Sequence, residues 1–200
     1  MAAAAIALVG IAILVAHRVD TESAEREAET VRNGLSAVMM RMKNNLHAFS
    51  RWDESTKQTP LANDLAWIHH HYGRRLHETS GYDQSFILDS HDAAVYASIN
   101  GKLVDKNIYE LISAKIEPVV QEVRDTYQLR KLNVIIDDSV HARPASEPVS
   151  RVVFRRIDQR PALIGAVTIV PANGRGLGSA EAPAIAVNVT FIDDAFVAEL

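Results

Sequence analysis

The chain has 200 residues, 48% of them hydrophobic and 23% charged, with a formal net charge of -4 at pH 7. That length holds one sizeable core plus an anchor but not a second full domain, and the mixed charge offers no basic field for nucleic acid. With no cysteine, a disulfide framework, thiolate metal sites and cysteine nucleophiles are excluded.

Residues 1–17 read as a membrane anchor. The apolar run Ala2 to Ala16 would rise about 22 Å as helix, against a hydrocarbon core of roughly 30 Å, so it is a whole short anchor or a piece of a longer one. No Lys or Arg precedes it, and it ends Val15-Ala16-His17 rather than in a small-x-small cleavage site. An uncleaved anchor is therefore expected. The nearest cation, Arg18, lies on the C-terminal side, which the positive-inside rule would keep cytoplasmic. Charge alone thus leaves the orientation in dispute.

A long helix is expected over residues 18–52. Thr21, Ala24, Ala28, Val31, Leu35, Val38, Met42, Asn45, Phe49 and Trp52 are spaced alternately by three and four, the 3.5-residue period of a helical seam. Such a helix either lies on its own domain or pairs with a second copy in a homodimer, with Asn45 setting the register. Pro60 and the polar run before it mark a break, and Leu61, Leu65, Ile68 and Tyr72 then predict a second helix over about residues 61–78.

Strand patterns follow. Residues 85–89 and 93–97 flank the turn-forming Ser90-His91-Asp92 and predict a hairpin. Asp105 is placed to cap a helical stretch with Ile108, Leu111, Ile112, Val119, Val120 and Val123 facing inward, which Pro118 should divide into two short helices. Three more strands are expected at 151–158, 162–170 and 184–192. The last alternates Ile185, Val187, Val189 and Phe191 against Ala186, Asn188 and Thr190, as a sheet with one buried face requires. Asp158-Gln159-Arg160-Pro161 and the Gly-rich stretch 171–183 join these strands, and Asp193 can cap a final helix. The expected fold class is α+β: a long N-terminal helix and an antiparallel five-stranded sheet flanked by short helices.

Several of these segments carry a family likeness. Ser50-Arg51-Trp52-Asp53-Glu54, Leu65-Ala66-Trp67-Ile68, Gly81-Tyr82-Asp83-Gln84-Ser85-Phe86-Ile87-Leu88-Asp89 and Ala94-Val95-Tyr96-Ala97 resemble the extracytoplasmic CHASE sensor domains of the fourth class. The stretches Arg160 to Pro171 and Val187 to Phe196 resemble their late strands and exit, so the likeness covers roughly Thr21 to Leu200. The chain departs from the pattern in the tight turn after the first strand, where Ser90-His91-Asp92-Ala93 replaces the usual Gly, and over residues 137–150.

The resemblance implies a PAS-like or Cache-like sheet and a receptor in a bacterial inner membrane. Residues 18–52 would be its signalling helix and 53–200 its periplasmic sensor domain, dimeric through the N-terminal helix. Its output, a cyclic di-GMP synthase or phosphodiesterase or a histidine kinase, would lie outside this chain. It also implies a ligand site at Trp52, Asp53, Trp67, Tyr82, Asp83 and Tyr96. Core packing is the alternative for Trp67 and Tyr96, and a cap or ion pair for Asp53 and Asp83. The partner is a small ligand, or a periplasmic protein if the domain is a membrane-tethered adaptor.

No catalytic group or cofactor is implied. His69-His70-His71 and His77 lack the spacing of a metal site, because adjacent helical residues point about 100° apart. Gly174-Arg175-Gly176-Leu177-Gly178 is not a phosphate-binding fingerprint, and Asp137-Asp138 with His141 has no nucleophile beside it.

Overall fold

Runs of β-branched and aliphatic residues separated by tight turns pair into one antiparallel sheet in the structure, a computed structural model describing residues 26, 28–50, 64–136, 147–170 and 182–198. The chain divides into two units, Met1–Val38 and Met39–Leu200. Residues 28–50 are helical (α1), beginning in the first unit and ending in the second. The anchor expected over residues 1–17 lies outside the described residues, among which no helix is long and apolar enough to cross a membrane.

The second helix, α2, starts at Asp64, whose carboxylate accepts the Trp67 N–H at 2.9 Å. It runs as α-helix over Leu65–Ile68, as π-helix over His69–Arg74 and as α-helix again over Arg75–Ser80, stopping where Gly81 takes a left-handed φ of 68°. Strands β1 (Gln84–Leu88), β2 (Ala94–Ile99), β3 (Lys102–Leu103), β4 (Ser150–Ile157), β5 (Arg160–Thr168) and β6 (Ile185–Phe191) form a six-stranded sheet in the order β3-β2-β1-β6-β5-β4. All five expected strands are present. The sixth, β3, is two exposed residues after the Asn100-Gly101 turn, too short to show any alternation.

A 3-10 turn over Lys106–Leu111 and the helix α3 (Ser113–Ile136) lie between β3 and β4. Asp105 caps the first, accepting the Asn107 N–H at 2.9 Å. Pro118 does not divide α3, contrary to expectation. Ala114, whose carbonyl the missing N–H would have met, is exposed together with Pro118, so water can satisfy it. Leu111 also departs from its expected inward position and is 81% exposed. A last helix, α4 (Asp194–Ala198), starts on the Asp193 carboxylate, which accepts the Phe196 N–H at 3.0 Å.

Residues in register on antiparallel strands point to the same face. One face carries Phe86, Leu88, Ile164, Val187 and Val189, packed against Ile116, Val119, Val120, Val123 and Tyr127 of α3. That helical spacing is the stripe a surface helix turns to its core. Each such side chain fully buried contributes about 1.5–3 kcal/mol. The other face of β6 is covered too: Ala186 and Asn188 are as buried as Val187, which corrects the expectation of a single buried face.

One arginine ties α3 to the first hairpin. Arg124, nearly buried, donates from Nε and Nη2 to one carboxylate oxygen of Asp92 at 3.0 and 2.8 Å, from Nη2 to the Asp89 carbonyl at 2.6 Å, and to the Pro183 carbonyl. Asp92 has a φ of 63°, a left-handed conformation that Asp tolerates better than most residues. The hairpin that lacks a glycine is thus turned by Asp92, whose side chain also holds Arg124.

Arg124→Met should destabilise the protein by about 2–4 kcal/mol in urea unfolding, because it takes the donor from the Pro183 carbonyl and the cation from the Asp92 carboxylate. Asp92→Gly, which keeps the turn and leaves Arg124 bonded to both carbonyls, should cost less than half as much. Equal losses would show that the Asp92 carboxylate, and not the two carbonyl contacts of Arg124, carries the effect.

Candidate ligand site between helices and sheet

The face of the sheet opposite α3 has a polar row across its middle. Ser98 pairs with Ser85, Ser85 with Asn188, and Asn188 with Gly165. Ser98, Ser85 and Asn188 are buried. Gly165 is where α1 lands: a Cβ there would lie 2.7 Å from Leu46 Cδ1 and 2.8 Å from Met42 Cε. The end of α1 is further tied by His47 Nε2, 2.6 Å from Ser150 Oγ, and by the Ser50 carbonyl, which accepts the Val170 N–H at 3.1 Å. The seam residues Met42 and Asn45 therefore serve the chain's own domain, Asn45 by bonding Ser80 Oγ at 3.4 Å.

Beside this contact is a cavity of about 210 Å³ including its open mouth. Its enclosed part has room for about one water molecule. Leu46, Phe49 and Ser50 of α1, Tyr72 and Leu76 of α2, Tyr82, and Val167, Ala186 and Asn188 of the sheet line it. The Asn188 Oδ1 is buried with no hydrogen-bond partner. The Tyr82 hydroxyl is also buried without a well-formed hydrogen bond. Burial pushes its pKa up to about 12, with Asn45 and Ser80 close enough to pull the other way. An unpaired buried polar atom costs about 1–3 kcal/mol, so a small molecule that pairs with it gains that much.

The π-helical turn of α2 packs on the same face. A Cβ on Gly73 would overlap the Tyr96 hydroxyl and approach Ser98 Oγ to 3.2 Å, so only glycine lets the turn sit so close. His69 Nδ1 lies 2.9 Å from the Tyr96 hydroxyl. His71 Nδ1 is 2.8 Å from the Trp67 carbonyl and its ring stacks on Trp67 at 4.1 Å, while His77 Nδ1 is 2.9 Å from the Tyr82 carbonyl. Each of these three has its own structural partner. Among the described residues no group of three metal-ligating side chains converges.

Of the residues expected to contact ligand, Trp52 and Asp53 lie outside the described residues. Tyr82 lines the cavity. Tyr96 is buried on the same sheet face beneath His69. Trp67 is half-buried on α2 against His71. Asp83 is engaged in the sheet: its Oδ2 accepts the Phe191 N–H at 2.7 Å, which is neither the helix cap nor the ion pair that was its alternative reading. Asn188, Tyr72 and Leu46 were not anticipated. The signal for them was the small residues Ala186 and Gly165 beside Asn188, which leave room for a helix on that face.

A sheet covered by helices on both sides, with a small cavity walled by α1, α2 and the sheet, has the architecture of a binding module. The CHASE4 domain family model matches residues 35–200, and the chain belongs to that family. CHASE4 domains are extracellular sensor domains of signalling receptors, not catalytic ones. No curated protein matches the chain.

Acid should weaken the α2 contact. Burial lowers the His69 pKa from 6.5, and the nearby Arg74 and His70 lower it further. The unfolded chain therefore binds this proton more readily. The stability it contributes is complete above about pH 6.5 and falls as the pH drops below that. Thermal unfolding from pH 7.5 to 5 should show this loss, and His69→Asn should flatten it. An identical slope in the variant would assign the loss to other groups.

Proposed function

We propose that this chain is the ligand-sensing part of a bacterial inner-membrane receptor. Residues 1–17 would anchor it, 18–52 form its signalling helix and 53–200 its periplasmic sensor domain. The output, a cyclic di-GMP synthase or phosphodiesterase or a histidine kinase, would lie outside the chain. Two copies would pair through the N-terminal helix, where Val31 of the seam is 66% exposed. Trp52 and Asp53 follow Ser50 closely in sequence and join the proposed site on the family motif alone.

The observation that supports this reading is that α1 supplies part of the cavity wall through Leu46, Phe49 and Ser50. A ligand there touches the helix and the sheet at once, so it can prefer one seating of α1 over another. A ligand shifts such an equilibrium only by its differential affinity for the two arrangements. Carrying the switch from 1:99 to 99:1 takes about 5.5 kcal/mol.

Gly165→Val in the full receptor tests this directly. The added side chain pushes Met42 and Leu46 off the sheet, at a stability cost of about 1–3 kcal/mol, and should change the basal output by several-fold. Output unchanged with and without stimulus, in protein shown to be folded, would remove the α1 contact from the mechanism.

A further inference from the structure

We propose that Met42 is an oxidation site gated by the seating of α1: a hypohalous acid or a peroxide converts its thioether to the sulfoxide when the helix lifts from β5, and the sulfoxide then keeps the helix from reseating. The sequence points there first. The chain holds four methionines and no cysteine, so an oxidant finds sulfur only in methionine. Three of the four, Met39, Met40 and Met42, fall within four consecutive residues of α1. Leu forms helix as readily as Met and packs more rigidly, so packing alone gives no reason to gather thioethers at this contact.

Met40 and Met42 differ in what reaches them. Met40 is 58% exposed and Met42 4%. Met42 packs over Gly165, where a Cβ would stand 3.2 Å from its Sδ and 2.8 Å from its Cε, so the sulfur itself lies against the backbone of β5. A seated helix therefore offers an oxidant Met40 and withholds Met42. With hypochlorous acid the net step gives sulfoxide, chloride and a proton: the sulfur gains an oxygen and loses an electron pair, which reduces the chlorine to chloride. That oxygen needs room which the close approach over Gly165 does not leave, and a hydrogen bond which the neighbouring Leu46 methyl cannot give. Oxidation thus favours the lifted helix, and a methionine sulfoxide reductase restores the seat. The effect on receptor output rests on the sensor reading of α1, whereas the modification itself does not.

The test treats the full chain with limiting hypochlorous acid and follows the oxygen gained at each methionine by fragmentation mass spectrometry. Met40 should be oxidised about tenfold or more faster than Met42, because Met42 reacts only through local opening. Gly165→Val, or Gly165→Ala should the larger side chain prevent folding, should bring the two rates together. Equal rates in the parent, or a Met42 rate that neither variant raises, overturn the gating. Chain oxidised at Met42 should melt at a lower temperature than chain oxidised at Met40 alone, and Met42→Leu should abolish that difference. An unchanged melting temperature after Met42 oxidation, or a drop that persists in Met42→Leu, overturns the effect on the seat. In the full receptor, hypochlorous acid should shift the basal output in the same direction as Gly165→Val, with Met42→Leu unresponsive and Met40→Leu still responsive. If Gly165→Val shifts the output and oxidation of Met42 does not, this proposal falls alone. If Gly165→Val leaves the output unchanged, the sensor reading of the contact falls, and the rates and melting temperatures still decide the oxidation site.

Discussion

The cavity on the sheet face opposite α3 depends on how closely α1 can approach β5. Gly165 sets that distance, because a side chain at this position would occupy the space of Leu46 and Met42. With the helix seated there, Leu46, Phe49 and Ser50 close one wall of the cavity, and His47 reaches Ser150 at the sheet edge. A contact made of methyl groups over a glycine has no directional bonds at its centre. It can shift by small steps, while the flanking hydrogen bonds define where it ends.

The two sides of the sheet do different work. On the α3 side the core is continuous aliphatic packing, reinforced by Arg124, and nothing in it invites a ligand. On the other side the polar row Ser98, Ser85 and Asn188 is buried under helices that touch it through glycines and hydroxyls. Burying polar groups without full pairing is unfavourable for folding. Within this row it is the Asn188 Oδ1 that is left without a partner, and it holds hydrogen-bonding capacity in reserve.

Much of this was legible beforehand and some was not, for identifiable reasons. The five main strands were visible because alternation and turn residues such as Asp158-Gln159 report on the strands locally; both have positive φ, as a two-residue hairpin turn needs. The caps at Asp105 and Asp193 were visible for the same reason. The second buried face of β6 was not. Ala186 and Asn188 look like a solvent face by polarity, yet small residues are also what a helix needs beneath it. The π-helical turn left no periodic signature, and only the fold shows that Gly73 is the residue facing Tyr96. Arg124 was one charge among many until the hairpin was brought to it. Asn188 became a candidate only when register placed it beside Ser85.

Asp92 does two things at one position: it holds a left-handed turn and it binds Arg124. Each role narrows what the other permits. A glycine at the turn satisfies the backbone but leaves the arginine needing a different anion, while a neutral residue at position 124 leaves a carboxylate against buried carbonyl groups. Descent from a glycine-containing hairpin to this one is therefore easiest if the aspartate arrives first, where it is tolerated at the surface, and the arginine afterwards. Among CHASE4 domains the two positions should change as a pair, so that the identity of the turn residue foretells the residue one layer down in the helix.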